Sequence, residues 1–181
     1  MHAPGVRVTL SANMQPERLI LELLPRLRRY ARFLVRGDTS RADDLVQDCV
    51  ERALGRLHQW RKDSDMRAWL FTIMHNLHVN QIRRLLSAPD STPLHDDMTT
   101  AETFNGEGRV YLRQLSRMMN ELPAEQREVL YLVAVEGLRY REVATLLNIP
   151  DGTVMSRLAR ARDALRERLN DPDVSRLKRV K

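Results

Sequence analysis

Residues near the C-terminus of this 181-residue chain have the types and spacing that could recognise a nucleic acid. An apolar stripe at helical spacing contains Val154, Leu158, Ala161 and Leu165. The opposite face is small or polar and is edged with arginines. It comprises Gly152, Ser156, Ala159 and Arg160, flanked by Arg157, Arg162, Arg166 and Arg168. A helix that packs on one side and offers hydrogen-bonding and guanidinium groups on the other suits the major groove of DNA.

A shorter helix is predicted just before this one, from Tyr140 to Leu147, and the second is predicted to begin near Asp151. Between them, Pro150 cannot continue a helix and Gly152 permits unusual backbone angles. This arrangement predicts a helix-turn-helix. An ordinary helical hairpin with a solvated basic face is the alternative, because arginine-rich faces are common. Agreement between spacing, turn residues and face composition favours the DNA-binding form.

An acidic face is predicted on another helix, which runs from Arg41 to about Leu57 after a Ser40–Asp43 capping box. Cys49 lies on the apolar side of this helix and is interpreted as a core residue. The outward face bears Asp44, Gln47, Asp48 and Glu51. The pattern alone leaves two possibilities open, a solvated surface and a functional one.

A polar loop over residues 58–65, holding an exposed Trp60, is predicted to precede a long helix from Met66 to about Leu86. The predicted core side of that helix contains Trp69, Leu70, Ile73, Leu77 and Ile82. Away from it lie Asn76, Asn80, Arg83 and Arg84. Amides and guanidinium groups near aromatic rings suit single-stranded bases and phosphates. His75 and His78 lack further ligands at a recognisable spacing, so no metal site is predicted.

Composition favours an all-helical protein, since charged residues make up 30%, aromatics 5%, and only seven residues are glycine. The net charge of +6 indicates an acidic partner, with nucleic acid the first candidate. The single cysteine excludes an internal disulfide framework. No membrane-spanning apolar run and no signal peptide is found, so a cytoplasmic protein is expected. No nucleotide-binding loop or catalytic triad is found, so neither a cofactor nor an enzymatic activity is predicted.

Two small helical domains joined by a flexible acidic linker are predicted. The predicted divisions are a tail over 1–15, a domain over 16–86, the linker over 87–108, a domain over 109–170 and a basic tail over 171–181. In the first domain, a short helix from Pro16 to Leu24 and a second beginning at Pro25 are expected. In the second, one helix ends before Pro123 and another spans Glu125–Val135.

Four segments carry a resemblance to bacterial extracytoplasmic-function (ECF) sigma factors of the sigma-70 family. Leu122–Leu138 (LPAEQREVLYLVAVEGL) and Tyr140–Leu165 (YREVATLLNIPDGTVMSRLARARDAL) resemble the fourth domain of that family. Ala42–Leu54 (ADDLVQDCVERAL) and Trp69–Arg84 (WLFTIMHNLHVNQIRR) resemble its second domain. The segments stand in the family's order, and the likeness covers most of Leu27–Leu169.

The resemblance implies a dissociable RNA polymerase subunit that directs initiation at a promoter and makes no bonds itself. The acidic face would dock on the clamp helices of the largest polymerase subunit. Asn76 and Asn80 would line the melted strand, and Arg83 and Arg84 would hold its phosphates. The pocket for a base flipped from the minus-ten element would be formed by Trp60, Arg61, Lys62, Asp63, Ser64 and Asp65.

In the second domain, the resemblance implies two sets of contacts with the double-stranded minus-thirty-five element. Base edges would face Met155, Ser156, Ala159 and Arg160, and the backbone would meet Tyr140, Arg141, Thr153 and Arg157. An anti-sigma factor is a further partner that the resemblance allows. Met155 departs from the lysine or arginine of many relatives, and Met66 from a frequent aromatic residue.

Two other classes of protein compete with this interpretation. A stand-alone helix-turn-helix regulator would carry a sensor domain, and a receiver-type sensor would need strands where residues 17–86 are predicted to be helical. A sigma-mimicking protein that sequesters an anti-sigma factor need not keep the basic recognition face or the Trp60 loop. This sequence has both, which favours the sigma factor.

Overall fold

The computed structural model describes residues 15–87 and 115–170. Both ranges contain helices and turns and no β-strand, which confirms the all-helical prediction. The chain divides into two compact units, Met1–Thr100 and Ala101–Lys181. The predicted tails and acidic linker fall almost wholly outside the described residues.

Over residues 15–87, the first unit is a bundle of three helices, α1 (Pro16–Leu34), α2 (Thr39–Gly55) and α3 (Met66–Ser87), with a 3-10 turn at Leu57–Gln59. Each helix packs against the other two. The core is centred on Tyr30 of α1, which is fully buried and whose ring centroid lies 4.7 Å from that of Phe71 on α3. Burial of such large apolar side chains is the main stabilising contribution to a small bundle.

The prediction of two helices meeting at Pro25 is wrong, because α1 passes through this proline without a break. Proline in a helix interior removes one hydrogen bond to the carbonyl four residues earlier, here that of Leu21. Leu21 is 63% exposed, so water is available on that side of the helix. Leu19 and Ile20 before the proline, and Leu27 after it, are all buried, so one core holds both halves of α1.

The N-terminus of α2 also differs from the prediction. The helix begins at Thr39, and the Asp38 carboxylate caps it by accepting the Arg41 backbone N–H at 3.0 Å. The predicted Ser40–Asp43 capping box is therefore wrong. Cys49 is buried as predicted, and its thiol donates to the Leu70 carbonyl at 3.5 Å. Burial, and then the charge of Asp48, raise the pKa of Cys49 to about 12, so the thiol stays protonated and serves as packing.

The second unit contains a helix over residues 115–120 (α4), then α5 (Ala124–Leu130), α6 (Tyr140–Leu147) and α7 (Asp151–Asn170). The predicted helix at 125–135 is α5, continued by one π-helical turn at Tyr131–Val135 that the sequence did not predict. In that turn the Glu136 N–H donates to the Tyr131 carbonyl at 3.1 Å. Glu136 is 2% exposed and accepts a hydrogen bond from the Tyr131 hydroxyl at 3.3 Å.

The helix-turn-helix of α6 and α7 is confirmed, but its turn is made by a different residue. Asn148 adopts the left-handed conformation with φ 53°, and the Ile149 N–H donates to the Ala144 carbonyl at 3.0 Å. Asparagine tolerates this region better than most residues. Gly152 lies inside α7 and does not have a positive φ, so its predicted role in the turn is wrong.

Candidate nucleic-acid interface

The face of α7 opposite the core is open to solvent over the turns that would enter a groove. Val154, Leu158 and Ala161 are buried, which leaves the other side of the helix uncovered. The exposed residues on that side are Gly152, Met155, Ser156, Ala159 and Arg160. The Ser156 hydroxyl donates to the Thr153 carbonyl at 3.1 Å, so its oxygen remains available as an acceptor. The burial pattern agrees with the predicted division between packing face and recognition face.

Two arginines of α7 pair with glutamates that precede it in the same unit, Glu125 in α5 and Glu121 in the turn before α5. The Arg157 guanidinium pairs with Glu125 of α5, and the Arg157 side chain is only 21% exposed. Arg168 Nε lies 2.8 Å from Glu121 Oε2. Arg160, between them in sequence, is exposed. The arginines that were grouped together in the sequence therefore have different surroundings, and Arg157 is directed toward the protein.

The residues predicted to touch the DNA backbone beside α7 lie near the starts of α6 and α7. Tyr140 and Arg141 are exposed on the first turn of α6, and Thr153 is half-buried in α7. The Arg139 N–H donates to Glu142 Oε2 at 2.7 Å, which satisfies one of the free amides at the start of α6. Contact of these side chains with DNA stays a prediction.

In the first unit, the acidic face of α2 adjoins the polar face of α3. Asp44, Gln47, Asp48 and Glu51 are all exposed, as predicted. Gln47 Nε2 donates to Glu51 Oε1 at 2.9 Å, and Gln81 Nε2 of α3 donates to Asp48 Oδ2 at 3.4 Å. A shallow groove of about 310 Å³ lies between the helices, lined by Asp48, Glu51, Arg52, Leu77, Asn80, Gln81 and Arg84. Sequence reasoning treated these faces separately and missed Gln81, which joins them.

The loop between the 3-10 turn and α3 is held by short-range hydrogen bonds. Arg61 and Asp63 form a bidentate ion pair, with Nε–Oδ1 3.2 Å and Nη2–Oδ2 2.9 Å. This hydrogen bond to Arg61, with a backbone bond and the guanidinium charge, lowers the pKa of Asp63. The Ser64 hydroxyl donates to the Arg61 carbonyl at 2.7 Å. The predicted base-capturing loop thus has a defined conformation in the free chain.

Asp65 closes the loop by capping α3. Its carboxylate accepts the backbone N–H of Arg67 at 2.8 Å and of Ala68 at 3.4 Å, and it pairs with the Arg67 guanidinium at 3.0 Å. Arg67 was not singled out from the sequence. Trp60 was predicted to be exposed, but it is half-buried and its indole N–H is enclosed by protein. The loop therefore packs against the bundle at one end.

Along α3, Asn76, Asn80, Arg83 and Arg84 are exposed, in agreement with the predicted polar face. Ile82 was predicted to be core but is 38% exposed, because the helix extends past the bundle toward its C-terminus. Among residues 15–87 and 115–170, no group of three or more His, Cys, Asp or Glu side chains is placed to hold a metal ion. Within the same described ranges, no helix has both the length and the apolarity needed to cross a membrane.

Comparison with known proteins gives matches over both units. A family model described as the sigma2 domain of PhyR matches residues 20–75, and a model described as sigma-70, region 4 matches residues 112–165. The chain is 33% identical over 150 residues to the ECF RNA polymerase sigma factor EcfG of Rhodopseudomonas palustris, a match that covers 81% of this chain and 80% of the relative.

Two solved structures are also similar. The sigma factor RpoE from Bartonella quintana, solved in complex with the anti-sigma factor NepR, has a TM-score of 0.72 and 29% identity, covering 86% of this chain and 97% of RpoE. The anti-anti-sigma factor PhyR of the same organism, also solved with NepR, has a TM-score of 0.55 and 17% identity, covering 86% of this chain and 51% of PhyR. The second likeness concerns the fold alone.

These matches define a member of the sigma-70 family of RNA polymerase subunits. Within that family, the chain belongs to the ECF RNA polymerase sigma factors, the class that directs promoter-specific transcription initiation. The resemblance found from its four sequence segments is confirmed. The stand-alone regulator is not supported, because residues 20–75 match a sigma2 domain and form helices joined by turns, without the strands that a receiver-type sensor would need.

Proposed function

We propose that this chain brings core RNA polymerase to promoters and opens them by using three surfaces: the exposed face of α7, the Trp60–Asp65 loop with the polar face of α3, and the acidic face of α2. The observation that carries the proposal is the division of α7 into a buried stripe and an exposed face bearing Ser156 and Arg160. That division is the geometry a major-groove recognition helix requires.

The proposed minus-thirty-five contacts follow from the chemistry of each exposed side chain of α7. Arg160 has the planar fork that pairs with guanine O6 and N7, and the Ser156 oxygen can accept a hydrogen bond from a base. Met155 is 52% exposed and has no polar group, so it suits a thymine methyl group. Tyr140, Arg141 and Thr153 would meet the flanking backbone. Arg157 belongs to the same predicted set, although it pairs with Glu125.

For the minus-ten element, we propose that the pre-formed loop and α3 hold the melted strand. The loop is held in shape by the Arg61–Asp63 pair and by Ser64, so little ordering is needed when a flipped base arrives. Lys62 at its tip is exposed and available to a phosphate. Asn76 and Asn80 would bond base edges, and Arg83 and Arg84 would hold phosphates.

The acidic face of α2 is proposed to dock on the clamp helices of the largest polymerase subunit. Asp44 and Asp48 are one turn apart and both exposed, which suits basic partner residues. Because Asn80 and Gln81 line the same groove as Asp48 and Glu51, polymerase docking would take place next to the captured strand. Docking and strand capture would then support each other.

Residues 16–86 would act as sigma domain 2 and residues 109–170 as sigma domain 4, with 87–108 as the linker. The polymerase would supply all bond chemistry, and the chain would act beside it in the cytoplasm. Since the similar RpoE is found with the anti-sigma factor NepR, we propose an anti-sigma factor as a partner here too.

Run-off transcription tests the function directly. Core RNA polymerase with the full chain, supplied with a library of genomic promoter fragments, is expected to give defined transcripts that core polymerase alone does not give. The second candidate function is a sigma mimic, favoured by the match of residues 20–75 to the sigma2 domain of PhyR. A mimic would bind an anti-sigma factor but give no run-off product. Transcripts that appear only with the chain would exclude it.

A further inference from the structure

The pair between Arg157 and Glu125 lies next to the residues proposed to read bases. Arg157 follows Ser156 and precedes Arg160 by three residues on α7, while Glu125 belongs to the first turn of α5. The Arg157 side chain is 21% exposed, in contrast to exposed Arg160. Two arginines less than one helical turn apart therefore have different environments, one facing solvent and the other held by protein.

The position of Arg157 around α7 explains this difference. At about 100° per residue, Arg157 projects about 60° from buried Val154 on one side and about 60° from exposed Arg160 on the other. It thus lies on the border between the packing face and the recognition face. An ion pair at that border opposes rotation of α7 about its axis, and such a rotation would change which side chains point away from the unit.

Arg168 provides an internal comparison. It lies eleven residues after Arg157, about three helical turns, so both project from nearly the same side of α7. It also pairs with a glutamate, Glu121, at 2.8 Å. Arg168 is, however, about 12 Å along the helix from Arg160, whereas Arg157 lies within one turn of it. Of the two ion pairs, the one at Arg157 is therefore the one close enough to orient the recognition face of α7.

We propose that Arg157 is a positioning residue, which acts through its pair with Glu125 to fix the rotation of α7 and thereby the base preference of Met155, Ser156, Ala159 and Arg160. The inference rests on the proposed function of α7 and revises the predicted role of Arg157 as a ligand of the DNA backbone. Recognition groups must be held within about 0.5 Å and 10–20° by residues behind them. Arg157 Nη2 contacts Glu125 Oε2, and a charge-assisted contact of this kind is stronger and more directional than one between neutral groups.

Charge exchange tests the proposal, because the two roles predict opposite results. The probe is the sequence that wild-type holoenzyme, made from core RNA polymerase and the full chain, enriches from duplexes randomised at the minus-thirty-five position. Affinity for this duplex is compared with affinity for a scrambled one. Glu125→Arg and Arg157→Glu each place like charges together, and the double variant restores an opposite pair.

A positioning role predicts that both single variants lose at least about fivefold of the discrimination between the two duplexes, which is the scale of one good base contact. The double variant should recover it to within about twofold of the wild-type ratio. A phosphate ligand would behave differently: Glu125→Arg would bind as well as wild type or better, while Arg157→Glu and the double variant would both lose affinity for every sequence. Their salt dependence would also weaken by about one unit of slope. That result would overturn the proposal.

Two controls complete the design. Glu125→Gln is a milder change for the case in which a reversal unfolds the unit; positioning predicts lower discrimination, whereas removal of a charge that merely competes with phosphate predicts higher affinity for both duplexes. Arg168→Glu reverses charge on the same side of α7 and should keep discrimination within about twofold. An equal loss there would assign the effect to general loosening of α7 and overturn the role of Arg157. If wild-type holoenzyme enriches no sequence, the proposed reading function fails instead.

Discussion

The two units present their candidate DNA-contacting elements in different ways. In the second unit, the recognition face lies on α7, and Arg157 and Arg168 connect that helix to Glu125 and Glu121, which are 32 and 47 residues earlier in the chain. In the first unit, the Trp60–Asp65 loop is held by neighbours two or three positions away, such as Arg61 with Asp63. A helix presents a rigid row of side chains whose direction depends on distant contacts. A loop can shape a pocket from local contacts alone.

This difference suits the two forms of DNA. Double-stranded DNA has a fixed groove, so its reader needs a rigid element set at one angle. A flipped base moves freely until it is captured, so its pocket needs shape more than orientation. The effect of a substitution on α7 should therefore be reversed by a second substitution at a residue far away in the chain. The effect of a substitution in the loop should be reversed by a second substitution at a neighbouring residue. The acidic face of α2, which contacts neither form of DNA in the proposal, provides the reference for both.

The largest expected effect is at that reference surface. Asp48→Arg should abolish binding to core polymerase and run-off transcription, because removing one partner of a buried interfacial charge pair costs about 2–5 kcal/mol and reversal adds repulsion. Asp48 is exposed and receives one long hydrogen bond from Gln81, so the melting temperature of the free chain should change little. The control is Asp43→Arg, the same charge reversal at an exposed residue of α2 outside the acidic face. It should keep the affinity for core polymerase near that of the wild type. Normal affinity in a folded Asp48→Arg chain would remove α2 from the interface.

A smaller and sequence-dependent loss is expected on α7. Arg160→Ala should cost about 1–3 kcal/mol on the preferred minus-thirty-five sequence and relax the preference at one or two base pairs. Arg166→Ala removes the same kind of side chain about 9 Å further along the helix, where Arg166 pairs with Asp163, and serves as the control. Selection from randomised duplexes with each holoenzyme measures both. Equal losses on all sequences would show that Arg160 meets phosphate and not a base.

Much of this division could be predicted from the sequence, because it depends on periodicity. The spacing of Val154, Leu158 and Ala161 predicts which side of α7 is buried, and the structure agrees. The polar faces of α2 and α3 follow for the same reason, since a helix in a small bundle has one buried side. Cys49 was assigned to the core by the same pattern.

The remaining features depend on tertiary structure, which local patterns do not encode. Pairing of Arg157 with Glu125, or of Asp48 with Gln81, joins residues 32 or 33 positions apart. Pro25 ends a helix by local rules, yet burial on both sides of it outweighs one lost hydrogen bond. Asn148 adopts the left-handed conformation that was assigned to Gly152. Glycine is the usual residue in this conformation at the end of a helix, but asparagine also occurs there.

The cap of α3 is expected to matter moderately. Asp65→Ala removes a carboxylate that accepts two backbone N–H groups and should lower the free energy of unfolding by about 1 kcal/mol. Asp65→Asn keeps the capping oxygen but loses the charge that pairs with Arg67, so most of the stability should remain. Urea denaturation followed by circular dichroism compares the two. If both variants lose equal stability, the ion pair with Arg67 and not the cap would be the main contribution.

The smallest effect is expected for Asp63→Asn, which breaks the bidentate ion pair with Arg61 in the loop. Both side chains are exposed, and exposed pairs contribute little, so open-complex formation should slow by only about two- to fivefold. Because the pKa of Asp63 is lowered, its carboxylate is ionised throughout the range from pH 6 to 8. The decrease in the rate of open-complex formation caused by Asp63→Asn should therefore be the same across this range. Pre-melted promoter templates should restore most of the rate if the pair shapes the loop for strand capture. Exchange of the two residues, Arg61→Asp with Asp63→Arg, should also restore it, because the compensation is local. If pre-melted templates restore the rate but the exchanged variant does not, Arg61 itself contacts the DNA. The loop would then resemble α7, where the position of one charged side chain matters for DNA binding.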